Sequence, residues 1–125
     1  TCALPIFTEI VSHSHHGERL SDLYPHLTKV IERPLIEYDL SYLEKAVDIL
    51  FFATPAGISK SLVPEVLETS LQCIDLSGDF RLLKKDYEEW YGKEAVASDM
   101  QENAVFGLLE IYKDKIVLIP VKKGE

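Results

Sequence analysis

The sequence predicts an α/β fold with a mostly parallel sheet and flanking helices. Three observations carry that prediction. Strand-like and helix-like apolar periods alternate along the chain. Two short hydrophobic strands, at 48–53 and 72–76, are joined by one helix and so form a βαβ unit. The connections are short, as they are where a sheet and its helices build one layered domain.

In order, residues 6–12 read as a strand beginning just after Pro5, and 13–17 as a polar turn. Residues 21–27 hold an irregular Tyr-Pro segment, and 35–38 read as a short strand after Pro34. Asp39 or Ser41 then caps a short helix running to about Ala46, with Glu44 placed for a capping box with Ser41. The strand at 48–53 is uniformly apolar after Asp48, which predicts cover on both faces. A helix over 59–70 carries Leu62, Val63, Val66, Leu67 and Leu71 as one stripe, and Pro64 is expected in its tolerant first turn. The strand at 72–76 returns to the sheet. A helix over 85–91 presents Tyr87, Trp90 and Tyr91, read as core, and Gly92 stops it. A short polar helix at 98–103 and a last strand at 115–119 complete the pattern. With no linker or internal repeat, residues 1–125 read as a single partial domain, half or more of a Rossmann-like fold that is incomplete at its first strand.

Composition narrows the function. The 125 residues are 46% hydrophobic and 27% charged, near the soluble average. Thirteen basic against 21 acidic residues give a net charge of −8, which argues against a nucleic-acid or anionic-membrane surface. The longest apolar run, 49–53, is too short to span a bilayer, and the first residues lack a signal-peptide pattern. Two distant cysteines, Cys2 and Cys73, predict a reducing, cytoplasmic setting without a disulfide. Cys73 falls within a strand, where packing is its expected role.

Two strand ends concentrate the groups that carry chemistry, and in an open parallel sheet ligands bind at the carboxyl ends of strands. Thr54-Pro55-Ala56-Gly57 lets main chain approach a flat ligand, and the helix that follows offers free amides to an anion. A tight turn chosen for packing is the alternative. In Asp75-Leu76-Ser77-Gly78-Asp79-Phe80-Arg81 a persisting strand period points Asp75, Ser77 and Asp79 the same way. Either this is a ligand-binding loop, or Asp79 pairs with Arg81 or accepts backbone amides in a turn. Ser77 lacks a nucleophile elbow. His13, His15, His16 and His26 invite divalent metals but lack the partners of a structural site, so no metal is expected.

Four segments in order give the chain a family likeness. They are 12–17 with 20–27 (Ser-His-Ser-His-His-Gly, Leu-Ser-Asp-Leu-Tyr-Pro-His-Leu), 51–57 (Phe-Phe-Ala-Thr-Pro-Ala-Gly), 74–82 (Ile-Asp-Leu-Ser-Gly-Asp-Phe-Arg-Leu), and the pair 90–92 (Trp-Tyr-Gly) and 105–108 (Val-Phe-Gly-Leu). Together they resemble the NADP-binding domain of N-acetyl-gamma-glutamyl-phosphate reductases, over about residues 9–112. The resemblance implies an NADPH-dependent oxidoreductase of arginine biosynthesis that reduces an acyl phosphate to a semialdehyde. It implies NADP(H) contacts at Ser12, Ser14, Thr54, Pro55, Ala56, Gly57, Ser77 and Gly78, and a substrate region at Asp79 and Arg81. The intact enzyme takes a small-molecule substrate, and a homo-oligomer is expected.

The departures shape the functional expectation. No Gly precedes Gly17, so the family's Gly-rich first turn has no counterpart; His13 stands where the family commonly has a basic residue, and Leu109 where it usually has proline. The Asn-Pro-Gly-Cys motif bearing the catalytic cysteine is also missing, so no catalytic residue is assigned. The reading is a fragment or truncated copy that is inactive alone. The alternative is a non-catalytic nucleotide-binding or self-associating α/β interaction domain, since an open sheet edge invites pairing with another chain.

Overall fold

A computed structural model describes residues 6–107, 109–112 and 114. The chain forms two compact units that divide between Val47 and Asp48.

In the first unit the apolar residues do not extend into strands. Ser12 N donates to Ile36 O at 2.9 Å and Ile36 N to Ile10 O at 2.9 Å, which makes one parallel bridge between Val11 and Ile36. A second, antiparallel bridge joins Arg19 and Pro34. The expected strands at 6–12 and 35–38 are thus reduced to single bridges. Pro34 has no N–H to lengthen the ladder, and Asp39 turns the chain into a helix three residues past Ile36. Between the bridges lie the short helix α1 (Leu20–Leu23) and a 3-10 turn, Pro25–Leu27. Helix α2 (Leu40–Ala46) begins at Asp39, whose carboxylate accepts Tyr42 N at 3.2 Å and Ser41 Oγ at 2.9 Å. These bonds, led by the one from Ser41, hold the Asp39 carboxyl below its ordinary value. Of the two expected caps Asp39 is therefore the one used, and Ser41 serves it instead of forming a box with Glu44. Among the described residues of this unit, Leu35 and Leu43 are the buried apolar ones.

The second unit holds the βαβ. Strands β1 (Ile49–Phe52) and β2 (Gln72–Asp75) run parallel, Ile49 opposite Gln72 and Phe52 opposite Asp75. Gln72 N to Asp48 O at 3.1 Å and Leu76 N to Phe52 O at 2.9 Å continue the ladder at its ends. Helix α3 (Ser59–Leu67) joins the strands and packs on β2. Its Val63 and Val66 are buried, as are Phe52, Leu71, Tyr87 and Val96; burial stabilises by about 1.5–3 kcal/mol per large apolar side chain.

Three expectations for this unit are corrected. Among the described residues one face of the sheet is the more covered: Phe52 is buried, while Ile49, Phe51, Ile74 and Leu76 are 43%, 61%, 43% and 58% exposed. Register explains this, because β1 and β2 turn the alternate set Ile49, Phe51 and Ile74 away from the covered side. Helix α3 ends at Leu67, itself exposed, because Thr69 folds back, with its N and Oγ1 both donating to Val66 O and its Oγ1 accepting Leu71 N. Pro64 is the sixth residue of α3, so it lies in the interior and gives no N–H to the Lys60 carbonyl.

Helix α4 (Lys84–Tyr91) ends at Gly92, with φ 61°, and α5 (Ser98–Asn103) and α6 (Leu109–Tyr112) follow. Tyr87 is fully buried as expected, but Trp90 is 77% exposed and so is not core. The expected strand at 115–119 lies outside the described residues.

Candidate functional site

The turn Thr54-Pro55-Ala56-Gly57 leaves β1 and enters α3. Ile58 holds the helix entry at φ −88° and ψ −52°, and its apolar side chain cannot cap. The cap comes from Asp79, beyond the end of β2. Its carboxylate accepts Gly57 N on both oxygens at 2.7 and 2.9 Å, Lys60 N at 3.0 Å, Ser59 Oγ at 2.9 Å and Tyr87 OH at 2.7 Å. Asp79 has no exposed surface, and four donors meet a buried charge that would be costly to leave unpartnered.

Further polar contacts continue from the same hydroxyl. Ser59 Oγ lies 2.8 Å from Ser77 Oγ, which lies 2.8 Å from Asp75 Oδ2 and accepts Asp79 N at 3.1 Å. Ser77 N donates to Asp75 Oδ1 at 3.0 Å. With Ser59 donating to Asp79 and Ser77 to Asp75, both hydroxyl protons are used, and the Ser59–Ser77 contact is a close approach of the two oxygens. Asp75, Ser77 and Asp79 do converge, though by an Asx-type turn rather than a continuing strand.

The electrostatics follow from this packing. Burial works to raise the Asp79 pKa, but the bonds from Tyr87, Lys60 N, Gly57 N and Ser59 together outweigh it and hold the carboxyl below its ordinary value. The Tyr87 phenol moves far up, first because it is buried and then because it donates to Asp79.

Two glycines have separate reasons. Gly57 has φ 99°, a conformation in which a side chain is strained. At Gly78 a Cβ would stand 2.2 Å from Tyr91 Oη and 2.6 Å from its Cζ. The Tyr91 ring holds that place by stacking on Tyr87, with centroids 4.8 Å apart and planes at 27°. The segment after α4 is tied to the turn by two lysines, Lys93 Nζ donating to Ala56 O and Lys60 Nζ to Glu94 O.

The expected anion site is therefore corrected. Two of the amides around the start of α3 are already taken: Gly57 N, two residues ahead of the helix, and Lys60 N, its second residue, both end on Asp79. Of the two roles weighed for Asp79 within a turn, accepting backbone amides is the one it plays; the Arg81 guanidinium is exposed and lies 5.4 Å from the Phe106 ring centroid. Thr54, Pro55, Ala56, Gly57, Ser77, Gly78 and Asp79 come together in the second unit. Ser12 and Ser14 stand in the first, where Ser12 Oγ accepts His15 N at 3.2 Å and Ser14 is exposed. Thr54 Oγ1 is buried with no hydrogen-bond partner among the described residues.

Sequence reasoning missed Ser59 and the role of Tyr87. The hydroxyl at the first position of α3 was the one local signal, and the Tyr87 bond arises only from tertiary packing. In the first unit His15 lies 3.3 Å from Glu18, and His16 Nδ1 lies 3.4 Å from His13 O. No three His, Cys, Asp or Glu side chains gather as metal ligands among the described residues. Cys73 lies half-buried in β2, and burial, followed by the Asp75 charge, pushes its thiol up, away from the thiolate a nucleophile needs.

Comparison with known proteins adds a family and relatives. The family model described as "Semialdehyde dehydrogenase, NAD binding domain" matches residues 6–119. The chain is 44% identical over 108 residues to the N-acetyl-gamma-glutamyl-phosphate reductase of Oceanobacillus iheyensis, covering 86% of this chain and 31% of that protein. It is 41% identical over 115 residues to the reductase of that name from Bacillus cytotoxicus (90% and 33%), and 42% over 106 residues to that of Bacillus mycoides (84% and 31%). The chain thus spans about a third of the length of these relatives.

Proposed function

The chain belongs to the semialdehyde dehydrogenase NAD-binding domain family, and on that premise we propose that it is the NADP(H)-binding portion of an N-acetyl-gamma-glutamyl-phosphate reductase. The observation that carries this reading is the pairing of two strand ends. The small turn after β1 and the Ser77-Gly78-Asp79 turn after β2 are held against each other by one buried carboxylate. Thr54, Pro55, Ala56 and Gly57 follow the carboxyl end of β1, and open parallel sheets receive ligands at such ends, which supports the reading. The Thr54 hydroxyl, unpartnered among the described residues, is consistent with a site whose polar partner is a ligand.

Bound here, the nicotinamide cofactor supplies hydride for reducing an acyl phosphate to a semialdehyde. The chain's own residues shape the turn, keep its backbone rigid and hold a fixed negative charge beside it. Ser12 and Ser14 are proposed for the adenosine end, and Ser77 and Gly78 with the turn for the remainder. Arg81, exposed beside Phe106, is proposed to face the substrate region, whereas Asp79 supports the turn from within. Arginine biosynthesis and a cytoplasmic setting follow from the same reading; no helix among the described residues is long and apolar enough to cross a membrane.

The covalent route in such a reduction needs an activated thiol, and Cys73 in β2 is raised rather than activated. The 125-residue chain is therefore expected to bind NADPH without turning over N-acetylglutamyl phosphate. Fluorescence titration with NADPH checks the first part, with saturation expected in the micromolar range, about −8 kcal/mol. A coupled assay checks the second. Turnover above the no-protein control sinks the inactive reading, and no binding at millimolar NADPH sinks the cofactor reading.

The bare sheet face favours a second reading, self-association of this chain. Ile49, Phe51, Ile74 and Leu76 form an apolar patch on one side of the β1–β2 pair, and a second copy is its proposed cover. Phe51→Ser is expected to shift a concentration-dependent oligomer to monomer in sedimentation velocity while leaving the circular dichroism unchanged. A wild-type chain that sediments as a monomer at every concentration would remove this reading.

A further inference from the structure

Three of the four groups that donate to the Asp79 carboxylate come from one stretch of chain. Gly57 N, Ser59 Oγ and Lys60 N all belong to residues 57–60, the end of the turn after β1 and the start of α3. The fourth, Tyr87 OH, reaches Asp79 Oδ1 from α4 at 2.7 Å. The terminal torsion of an aspartate is soft, so a carboxylate held by 57–60 alone would follow that segment. The phenol ties its orientation to a separate helix.

Tyr87 is itself fixed. It has no exposed surface, and the Tyr91 ring stacks on it with centroids 4.8 Å apart. That second ring fills the space beside Gly78, the residue before Asp79. Helix α4 therefore grips the turn after β2 at two adjacent residues, by packing at Gly78 and by a hydrogen bond at Asp79.

We infer that Tyr87 is a positioning residue of the proposed cofactor site: from α4 its phenol sets the Asp79 carboxylate, and the carboxylate sets the main chain at 57–60. The inference rests on the nucleotide-binding reading above and adds to it the residue that holds the turn ready. Tyr87 touches no ligand, since it is wholly buried. It acts by preorganisation, because a turn already held in one conformation binds without first being ordered. Releasing the phenol lowers the fraction of chains in that conformation, and apparent affinity falls with that fraction. Phenylalanine at this position keeps the ring and its stacking, and removes only the hydroxyl that donates to Asp79.

The test compares Tyr87→Phe with Val66→Ala in the 125-residue chain. Val66, the eighth residue of α3, is equally buried, and its apolar side chain bonds nothing, so Val66→Ala controls for lost stability alone. Two quantities are read on folded protein: the NADPH dissociation constant, by fluorescence titration, and hydrogen exchange of the Gly57 and Lys60 amides. Tyr87→Phe is expected to weaken NADPH about tenfold, as losing one hydrogen bond to a charged group would. It is also expected to speed exchange at both amides beyond the change in Val66→Ala, which should leave the dissociation constant within about twofold of wild type. An unchanged dissociation constant in Tyr87→Phe would overturn the inference, as would an equal loss in both variants. Should Tyr87→Phe not fold, Tyr91→Leu removes the stacked ring and keeps the phenol. It is expected to speed Gly57 exchange and weaken NADPH about threefold, and no change in either overturns the inference. An unsubstituted chain that binds no NADPH removes the nucleotide reading, and exchange then decides alone. Faster exchange in Tyr87→Phe keeps Tyr87 as the residue that holds the turn, and unchanged exchange removes that role too.

Discussion

Asp79→Ala is expected to lower the unfolding free energy of the chain by about 3–5 kcal/mol, because it strands several buried donors at once. Gly57 N, Lys60 N, Ser59 Oγ and Tyr87 OH all lose their acceptor, and each stranded buried donor costs about 1–3 kcal/mol before water enters the space left behind. The loss is large against the roughly 5–15 kcal/mol total of a small domain. Tyr87→Phe removes one donor while the carboxylate keeps three, so its expected cost is nearer 1.5–3 kcal/mol, in the range of roughly one hydrogen bond to a charged group. Urea unfolding midpoints at unchanged slope read both effects. An Asp79→Ala midpoint within error of wild type would mean that the carboxylate holds nothing together.

The same carboxylate makes stability depend on acid. Burial works to raise its pKa and the four donors overcome that effect, leaving a folded value below the ordinary one. A depressed carboxyl stabilises the fold at pH values above its unfolded pKa, about 3.9, and the contribution disappears as pH falls through the folded value. The melting temperature is thus expected to drop steeply below about pH 4, and the drop to be shallower in Asp79→Asn, which has no carboxyl to protonate. The difference between the two slopes isolates Asp79. Tyr87 acts at the opposite end. Its raised phenol contributes stability below about pH 10 that is lost as pH rises toward the folded value. Thermal unfolding from pH 2 to 6 on both proteins checks the acid limb, and parallel curves would contradict the assignment.

How much of this was legible depends on whether the deciding contact is local. Helix α5 falls on residues 98–103 as read, because Ala97 enters extended and Ala104 leaves extended. The βαβ was legible because two apolar strands flank one amphipathic stripe. The strands of the first unit were not, since 6–12 and 35–38 have strand composition and yet meet at one bridge. The two-face expectation for β1 failed for a related reason. An unbroken apolar run records hydrophobicity, not what covers it, and Phe51 remains 61% exposed. The two strand ends were both recognised as ligand-binding candidates, but the bond between them was invisible. Gly57 and Asp79 are 22 residues apart, and no periodicity links a turn glycine to the carboxylate that caps the next helix.

Tertiary closure of that kind has a counterpart in covalent chemistry. Asp79 ties Gly57, 22 residues behind it, and Tyr87, eight ahead, so one side chain closes two rings of polypeptide. The entropy of closing such rings grows only slowly with their length, so the longer ring is little harder to shut than the shorter. A cystine bridge would staple the same loops permanently and answer to a reductant. This knot answers to a proton, and it ties or loosens without any oxidising machinery.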